Sequence, residues 1–298
     1  MPKPAILVIS SHVVRGTVGT RAAAFALEVL GHPVWTVPTV TLPWHPGHTG
    51  LAGAGQRIMA SDAEFAAMMQ QLADSPWIGE IEGILSGYFG NVAQVEAVAK
   101  FVTRAKANNP KLRYLLDPVI GDHGNLYVVP EQAQAVKEQL LPLADMTSPN
   151  PFEMQWLTGS SKVETALEML DQAKRLGPAN VAVTSAPGMK KNTIGILMLS
   201  EGEAGLGEHR LFDKVPNGLG DLTSALLLSH SLTGLDPMQT LRQTTASVFE
   251  VMRDAALREA EELSLESAWG SLLHPKARID MTSLSRRLRR SSLRQQVV

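Results

Sequence analysis

The chain has 298 residues, 44% of them hydrophobic, and a formal net charge of −2. A chain of this length can bury about 75% of its unfolded surface, which is enough for one large core or two smaller ones. The near-neutral charge excludes a general attraction to nucleic acid or acidic membranes, and the absence of cysteine excludes disulfides, thiolate metal sites and cysteine nucleophiles.

The chain opens on Met1-Pro-Lys-Pro4 and continues directly into the apolar run Ala5–Ile9. This run is too short for the pattern of a signal peptide or for a membrane span. We therefore expect a cytoplasmic protein with no membrane partner.

Short apolar runs alternate with longer helical patterns along the chain. The predicted strands are Ile6–Ser10, Val34–Val40, Gly83–Ser86, Tyr114–Asp117, Asp145–Thr147, Val181–Thr184 and Thr193–Leu199. The predicted helices are Thr20–Leu30, Asp62–Ala73, Val92–Asn108, Glu131–Leu140 and Val163–Leu176. Gly31 and Gly177 follow the first and the last of these helices as stop signals. The alternation predicts an α/β fold with a parallel sheet covered on both faces, in which ligands bind at the carboxyl ends of the strands.

An unusual segment, residues 42–57, lies between the second predicted strand and the second predicted helix. It contains Pro43, Trp44, His45, Pro46 and His48, followed by several glycines. A long loop of this kind in a compact domain is either a functional flap or a surface insertion.

Three carboxylates follow predicted strands. Asp117 ends a strand before Pro118, so its carboxylate is expected to point into the crevice at the sheet end. Asp122 and Glu153 lie on loops after strand ends. Oxygen ligands suit Mg²⁺, which often keeps waters while it bridges phosphates. The alternative for Asp117 and Glu153 is a helix cap or an ion pair.

The segment Gly218-Leu-Gly-Asp221 stands at the start of an apolar helix. The two glycines permit a tight turn and a close approach of a ligand to the backbone. Free N–H groups at a helix start bind anions, and Asp221 adds a proton acceptor. The combination suits transfer of a phosphoryl group to a hydroxyl; the structural alternative is a Gly-rich turn capped by aspartate.

The last residues form an arginine-rich tail, with five arginines among serines between Arg286 and Arg294. Such a tail either contacts nucleic acid or acidic lipid or stays solvated. We interpret it as a solvated tail and expect no nucleic-acid partner. No linker divides the rest of the chain, so residues 1–285 are predicted to form a single domain.

A series of short motifs runs in order along most of the chain. The first is Ser10-Ser-His-Val-Val-Arg-Gly-Thr-Val-Gly19, followed by Arg21-Ala-Ala-Ala-Phe25 and Val29-Leu-Gly31. The others are Ser86-Gly-Tyr88, Asp117-Pro-Val-Ile-Gly-Asp122, Ser148-Pro-Asn-Pro-Phe-Glu153, Val183-Thr-Ser185 and Gly218-Leu-Gly-Asp221. In order and spacing, the series resembles the pyridoxal kinase family of the ribokinase-like superfamily.

The resemblance implies a three-layer α/β/α sandwich with a mostly parallel central sheet. It implies ATP-dependent phosphorylation of the 5′-hydroxymethyl group of pyridoxal, and of related vitamers, to give pyridoxal 5′-phosphate. It also implies Mg²⁺, a monovalent cation such as K⁺, and a homodimer.

The resemblance further assigns roles to individual residues. Asp221 is the expected base, and the backbone of Gly218, Leu219 and Gly220 is the expected anion hole. The residues implied on the substrate side are Ser11, Val18, His45 and Tyr88, together with Asp221. The residues implied to bind ATP are Asp117, Ser148, Asn150, Glu153, Thr184, Ser185, Asn217, Gly218 and Gly220. Those implied to serve the metal, some through water, are Asp117, Asp122 and Glu153.

The chain departs from the family pattern at several positions. Leu219 stands where many relatives have threonine, and Thr20 stands where asparagine is usual. Trp44 and Pro46 flank His45 in place of asparagine and threonine, and proline offers neither a hydroxyl nor an N–H. Two alternative functions therefore stand beside the first: a related kinase that acts on hydroxymethylpyrimidine or another small alcohol, and a non-catalytic vitamer-binding protein on a kinase scaffold.

Overall fold

The computed structural model describes residues 3–48 and 55–285. Its strands are β1 (Ala5–Val13), β2 (Val34–Leu42), β3 (Ile81–Ser86), β4 (Arg113–Leu116), β5 (Gly121–Asp122), β6 (Asn125–Leu126), β7 (Met146–Thr147), β8 (Asn180–Pro187), β9 (Thr193–Ser200), β10 (Glu203–Arg210) and β11 (Asp280–Ser283). Its helices are α1 (Thr20–Val29), α2 (Asp62–Asp74), α3 (Val92–Asn108), α4 (Pro130–Ala135), α5 (Pro151–Thr158), α6 (Ala166–Ala173), α7 (Leu219–Leu232), α8 (Pro237–Leu257) and α9 (Leu265–Leu273).

Within the described residues, nine strands form one sheet in the order β11-β10-β9-β8-β7-β4-β3-β1-β2. The strands from β8 to β2 pair in parallel, whereas β9, β10 and β11 add an antiparallel edge. The remaining two strands, β5 and β6, form a separate small hairpin. The predicted mostly parallel central sheet is confirmed.

Two apolar cores lie on opposite faces of this sheet. Ile6 and Val8 of β1 join the core under α1, α7, α8 and α9. Leu7 and Ile9 join the core under the helices from α2 to α6. Alternate side chains of a strand point to opposite faces, and both faces are covered here, so β1 is apolar throughout. The predicted three-layer α/β/α sandwich is therefore confirmed.

Most of the predicted elements lie where the sequence placed them. The helix Val92–Asn108 has the predicted bounds, and Gly31 and Gly177 both have positive φ angles, of 84° and 104°, after helix ends. The segment predicted as a helix over residues 131–140 is helical throughout, but α4 gives way to a π-helical turn at Val136–Leu140. The helix predicted over residues 163–176 is too long, since a capping box at Thr165 starts α6 later.

Seven elements were not predicted: β5, β6, β10, β11, α5, α8 and α9. The strand β10 contains Gly205 and Gly207 instead of a continuous apolar run, because Leu241 and Met238 of α8 pack against those glycines. The helix α8 buries threonines and a serine, which weakens the apolar periodicity that would reveal it.

One sheet thus takes strands from both ends of the described chain. We therefore propose that residues 1–285 form one domain; the arginine-rich tail of residues 286–298 lies outside the described residues. No helix in the part of the chain that is described is both long and apolar enough to cross a membrane.

Candidate active site

The carboxyl ends of the parallel strands place the first site residues. Asp117 follows β4, and its backbone N–H donates to the carbonyl of Ser86 on β3 at 2.9 Å. Ser148 follows β7 and donates from its backbone to the carbonyl of Leu116 at 3.1 Å. The backbone pairing of the sheet therefore continues one residue past each strand and fixes both residues at the same edge.

A chain of hydroxyls links these two residues to α7. The Ser224 hydroxyl donates to Asp117 Oδ2 at 2.8 Å, and Ser148 Oγ lies 2.8 Å from Ser224 Oγ. Ser224 is fully buried. It follows Asp221 by three residues on α7, and residues three apart share one helix face. That spacing is the signal from which this residue, missed by the sequence analysis, could have been found.

The turn before α7 requires glycine at its cap. Gly218 has a φ of +94°, and a Cβ at this position would lie 2.0 Å from the carbonyl oxygen of Thr17. The N–H groups of Leu219 and Gly220 lie in the first turn, where no intrahelical acceptor exists. They also have no acceptor elsewhere in the described residues, and Gly220 is exposed. The turn therefore presents free donors to an incoming anion.

Asp221 lies in the same first turn and faces the loop before α1. The backbone N–H of Gly19 donates a hydrogen bond to its carboxylate. Desolvation raises the pKa of Asp221 to about 6, although this N–H bond acts in the opposite direction. The residue as a whole keeps some contact with solvent. A carboxylate with this pKa is ionised at neutral pH and still able to accept a proton.

Three carboxyl groups converge near this turn. Burial and the negative charges of Glu153 and Asp221 hold the pKa of Asp117 well above its usual range. Burial likewise raises the pKa of Glu153 to about 7. Among residues 3–48 and 55–285, no lysine, arginine or histidine forms an ion pair with any of the three. Mutually repelling buried carboxylates without a cation form a donor set that fits a hard divalent ion.

This set does not form a complete metal cage. No group of three or more histidine, aspartate or glutamate side chains in the described part of the chain is arranged to hold an ion without further ligands. Asp122, the third residue expected to serve the metal, lies on the β5–β6 hairpin and binds the backbone of His123 at 2.7 Å. Any Mg²⁺ here would therefore depend on ligands from the nucleotide or from water.

Asn150 and Glu153 carry out a structural task as well. They form the capping box of α5, in which each side chain binds the other residue's backbone N–H at 2.9 Å. Glu153 also accepts from the N–H of Ile120 at 2.9 Å, and Asn150 donates to the carbonyl of Gly121 at 2.8 Å. Glu153 is therefore a helix-cap residue, as the structural alternative predicted, and its negative charge also raises the pKa of Asp117.

The segment after Asp117 is strained. Val119 has a φ of +41°, which is unfavourable for a β-branched residue. This conformation directs the N–H of Val119 to the carboxylate of Asp117, and the next N–H, of Ile120, binds Glu153. Local strain thereby holds two carboxylates close to each other, as is common at functional sites.

A cavity of about 130 Å³ adjoins the free N–H groups of the turn. Thr184 and Ser185 line it at one side, and Leu219 and Gly220 line it at another. The rest of its wall is largely apolar: Ile194, Ile196, Phe212, Val248 and Met252. The predicted hydroxyls and the predicted anion hole therefore share one space, with an apolar slot beside them that was not predicted.

The residues expected on the substrate side divide into two groups. Ser11 lies against Gly19, whose N–H binds Asp221, because a Cβ at Gly19 would meet the Ser11 carbonyl oxygen at 2.1 Å; Val18 directly precedes Gly19 in the chain. Tyr88 instead lines a separate cavity of about 670 Å³ with Arg57, Tyr127 and other residues, none of them a predicted site residue.

The segment predicted as a flap is only partly described. It leaves the sheet after β2, and two backbone hydrogen bonds between Thr41 and Ile58, of 2.8 and 2.9 Å, close its base. His45 accepts from the Gly47 N–H at 3.1 Å, and burial lowers its pKa. Residues 49–54 lie outside the described residues.

Asn217 lies beside the turn and pairs with Glu262 through an isolated parallel backbone bridge. Glu262 was not predicted as a site residue, nor were Arg15 and His48, which it contacts. The three are far apart in the sequence, so no local motif reveals their contact.

Comparison with known proteins identifies the family. A sequence model of the family described as phosphomethylpyrimidine kinase matches residues 65–263. The pyridoxal kinase PdxY of Rubrobacter xylanophilus is 33% identical, over 92% of this chain and 95% of its own length. The pyridoxal kinase PdxY of Corynebacterium diphtheriae is 30% identical, over 94% of this chain and 99% of its own length.

A solved structure gives the same result. It is a pyridoxal kinase from Leishmania donovani in complex with ADP and pyridoxine, and it matches with a TM-score of 0.84 and 26% identity. The match covers 94% of this chain and 99% of that one. The resemblance seen in the motifs is confirmed across nearly the whole length of the relatives. The chain therefore belongs to the pyridoxal kinase family.

Proposed function

We propose that this protein transfers the γ-phosphoryl group of ATP to the 5′-hydroxymethyl group of pyridoxal or a related vitamer, and so produces pyridoxal 5′-phosphate and ADP. The observation that carries the proposal is that the carboxylate of Asp221, whose pKa burial raises to about 6, shares the first turn of α7 with the free N–H groups of Leu219 and Gly220. These relatives are named pyridoxal kinases, and one is solved with ADP and pyridoxine.

Asp221 accepts the proton of the 5′-hydroxyl as the oxygen attacks the γ-phosphorus and the bond to the β-phosphate oxygen breaks. ADP leaves with the electron pair of that bond. The Gly19 N–H keeps the carboxylate oriented toward the side of Ser11 and Val18. A positioned base of this kind contributes roughly 10²–10⁴-fold to the rate.

The first turn of α7 stabilises the charge that moves during transfer. The N–H groups of Leu219 and Gly220 point to where the transferred phosphoryl oxygens would lie, and such fixed donors contribute roughly 10²–10³-fold each at comparable sites. The Leu219 variation from threonine leaves this hole intact, because the donors belong to the backbone. Thr184 and Ser185 would hold the nucleotide phosphates, and the apolar slot beside them would receive the adenine ring of ATP.

Asp117 and Glu153 would hold Mg²⁺, with Asp122 acting through water. When bound, the ion would neutralise phosphate charge and offset the repulsion among the buried carboxylates. Ser224 supports this task, since its hydroxyl favours the ionised form of Asp117. The monovalent cation, the homodimer and the roles of His45, Tyr88, Ser148, Asn150 and Asn217 stay predictions from the resemblance. As part of the same proposal the reaction takes place in the cytoplasm, where ATP is available.

An acceptor panel tests the proposal. The protein is incubated with Mg-ATP and pyridoxal, pyridoxine, pyridoxamine, hydroxymethylpyrimidine or ribose, and ADP release is measured against a blank without acceptor. Release with pyridoxal above the blank supports the proposal. ADP release only with the pyrimidine or ribose would favour a related kinase. No ADP release with any acceptor, while the protein still binds a vitamer, would favour a non-catalytic vitamer-binding protein.

A further inference from the structure

A charged cluster outside the catalytic turn connects two loops that are distant in sequence. Glu262, in the segment before α9, accepts from Arg15 Nη1 at 3.1 Å, and its carboxylate also contacts His48 Nε2. Arg15 follows β1, and His48 belongs to the described part of the loop after β2. The side chain of His48 is only 4% exposed and that of Glu262 only 16%. Solvent therefore screens this pair less than an ordinary surface pair.

The same residue is tied to the catalytic turn through its backbone. Glu262 pairs with Asn217, the residue immediately before Gly218. A Cβ at Gly218 would lie 3.3 Å from Leu263 Cδ1, so the segment also packs against the turn. A Cβ at Gly16 would lie 2.9 Å from Glu262 Oε1, so the loop before α1 fits closely around the carboxylate. One residue therefore contacts three loops that border the acceptor side of the site.

The charges around His48 explain why Glu262 is the centre of the cluster. Arg15 Nη1 lies 3.4 Å from His48 Nε2, a contact that Glu262 bridges by accepting from both. Glu261 approaches the other ring nitrogen at 3.5 Å, but its side chain is 53% exposed. The His45 ring packs edge-on against His48 at 6.5 Å. Removal of Glu262 would leave Arg15 and His48 facing each other without the shared acceptor.

We propose that Glu262 is a positioning residue that couples the loop of residues 45–48 to the Asn217–Gly218 peptide. It thereby fixes the loops around the phosphate-accepting substrate relative to the proposed anion hole. Glu262 acts through these neighbours and touches no reacting atom. The kinetic part of the proposal rests on the proposed kinase activity. The structural part does not, because the coupling exists without substrate.

The kinetic test compares Glu262→Ala and Glu262→Gln with His48→Ala. Glu262→Ala is expected to raise the acceptor KM about tenfold and to lower kcat several-fold, while the KM for ATP stays within about twofold. Glu262→Gln, which keeps a carbonyl acceptor, should recover part of the loss. His48→Ala should raise the acceptor KM without the loss in kcat. Arg104→Ala, which breaks an exposed ion pair with Asp74 between α2 and α3, is the matched control and should change neither constant.

Hydrogen exchange of the substrate-free protein, followed by mass spectrometry, tests the coupling directly. Glu262→Ala should increase exchange in two segments, residues 42–48 and 214–222, whereas His48→Ala should increase it in the first alone. Faster exchange at residues 42–48 with an unchanged catalytic turn would overturn the proposal, as would equal rises in the KM values of acceptor and ATP. If Glu262→Ala does not fold, the same comparison is made with Glu262→Gln. Because this measurement needs no turnover, a wrong acceptor assignment cannot imitate its result.

Discussion

The backbone N–H of Gly19 donates a hydrogen bond to the carboxylate of Asp221. Gly19 caps α1 and Asp221 lies in the first turn of α7, so the N-termini of two helices meet at one carboxylate. No other residue fits at position 19, where φ is +59° and a Cβ would overlap the Ser11 carbonyl. The loop before α1 therefore orients the carboxylate of the proposed base, whereas burial raises its pKa against the effect of this contact.

Replacement of this base gives the first prediction. Asp221→Asn keeps the size of the side chain and an oxygen for the Gly19 N–H, but removes the proton acceptor. We expect kcat to fall by roughly 10²–10⁴-fold while ADP affinity changes little. Steady-state kinetics and calorimetric ADP titration measure the two effects. Asp213→Asn, an exposed position ahead of the same turn, is the control. Near-normal turnover in Asp221→Asn would remove Asp221 from the role of base.

The raised pKa of Asp221 predicts a dependence of stability on pH. The folded protein holds this proton more tightly than the unfolded chain, so the contribution is favourable below the ordinary pKa of an aspartate and is lost as pH rises through about 6. The unfolding free energy of Asp221→Asn minus that of wild type should therefore grow between about pH 4 and 6. It should then level off, after a rise of about 3 kcal/mol. Urea titrations across this range measure the difference, and a flat difference would contradict the shift.

The turn itself is tested with two glycines that share a positive φ. Gly218→Ala places a methyl group against the Thr17 carbonyl, whereas Gly234→Ala, at φ +78°, meets nothing within 4 Å. Both variants should lose about 1 kcal/mol of stability through backbone strain, and Gly218→Ala should lose more because its methyl group overlaps the backbone of Thr17. Only Gly218→Ala should also lower kcat, by tenfold or more, because the N–H donors move. Equal activity in the two variants would show that the position of Gly218 is not critical for catalysis.

The hydroxyl chain at Asp117 gives a prediction about the metal. Ser224→Ala removes a donor that favours the ionised carboxylate, so Asp117 should keep its proton more often. The Mg²⁺ concentration for half-maximal activity should rise about three- to tenfold. Ser231→Ala, near the opposite end of α7, serves as the control. An unchanged Mg²⁺ dependence would contradict the proposed role of the Ser224 hydroxyl in keeping Asp117 ionised for the metal.

Sequence alone was sufficient for the parallel half of the fold and insufficient for its antiparallel edge. The strand β1 is apolar throughout because both of its faces are buried, and this pattern is visible without a structure. The glycines of β10 fit beneath Leu241 and Met238, which depends on a helix thirty residues further along the chain. The start of α5 was hidden for a different reason, since Asn150-Pro151 is typical of a turn and here caps a helix.

The site shows the same division between local and distant information. The proposed anion hole of Gly218–Asp221 follows from local rules about helix starts, so its residues could be named in advance. The pKa of Asp221 could not, because it depends on burial and on Gly19, two hundred residues earlier. Ser224 and Glu262 escaped notice because each acts through a partner that only the fold brings near.

Val119 has a consequence for anyone who redesigns this enzyme. Its left-handed backbone is the kind of feature that stability engineering removes first, by substitution with glycine or asparagine. The expected gain in stability would come at the residue whose N–H is directed to Asp117 and whose conformation places the next N–H against Glu153. Glycine at this position would relieve the strain but would also let the backbone leave the conformation that directs the two N–H groups, so thermostability screens of this protein should be paired with an assay of metal dependence.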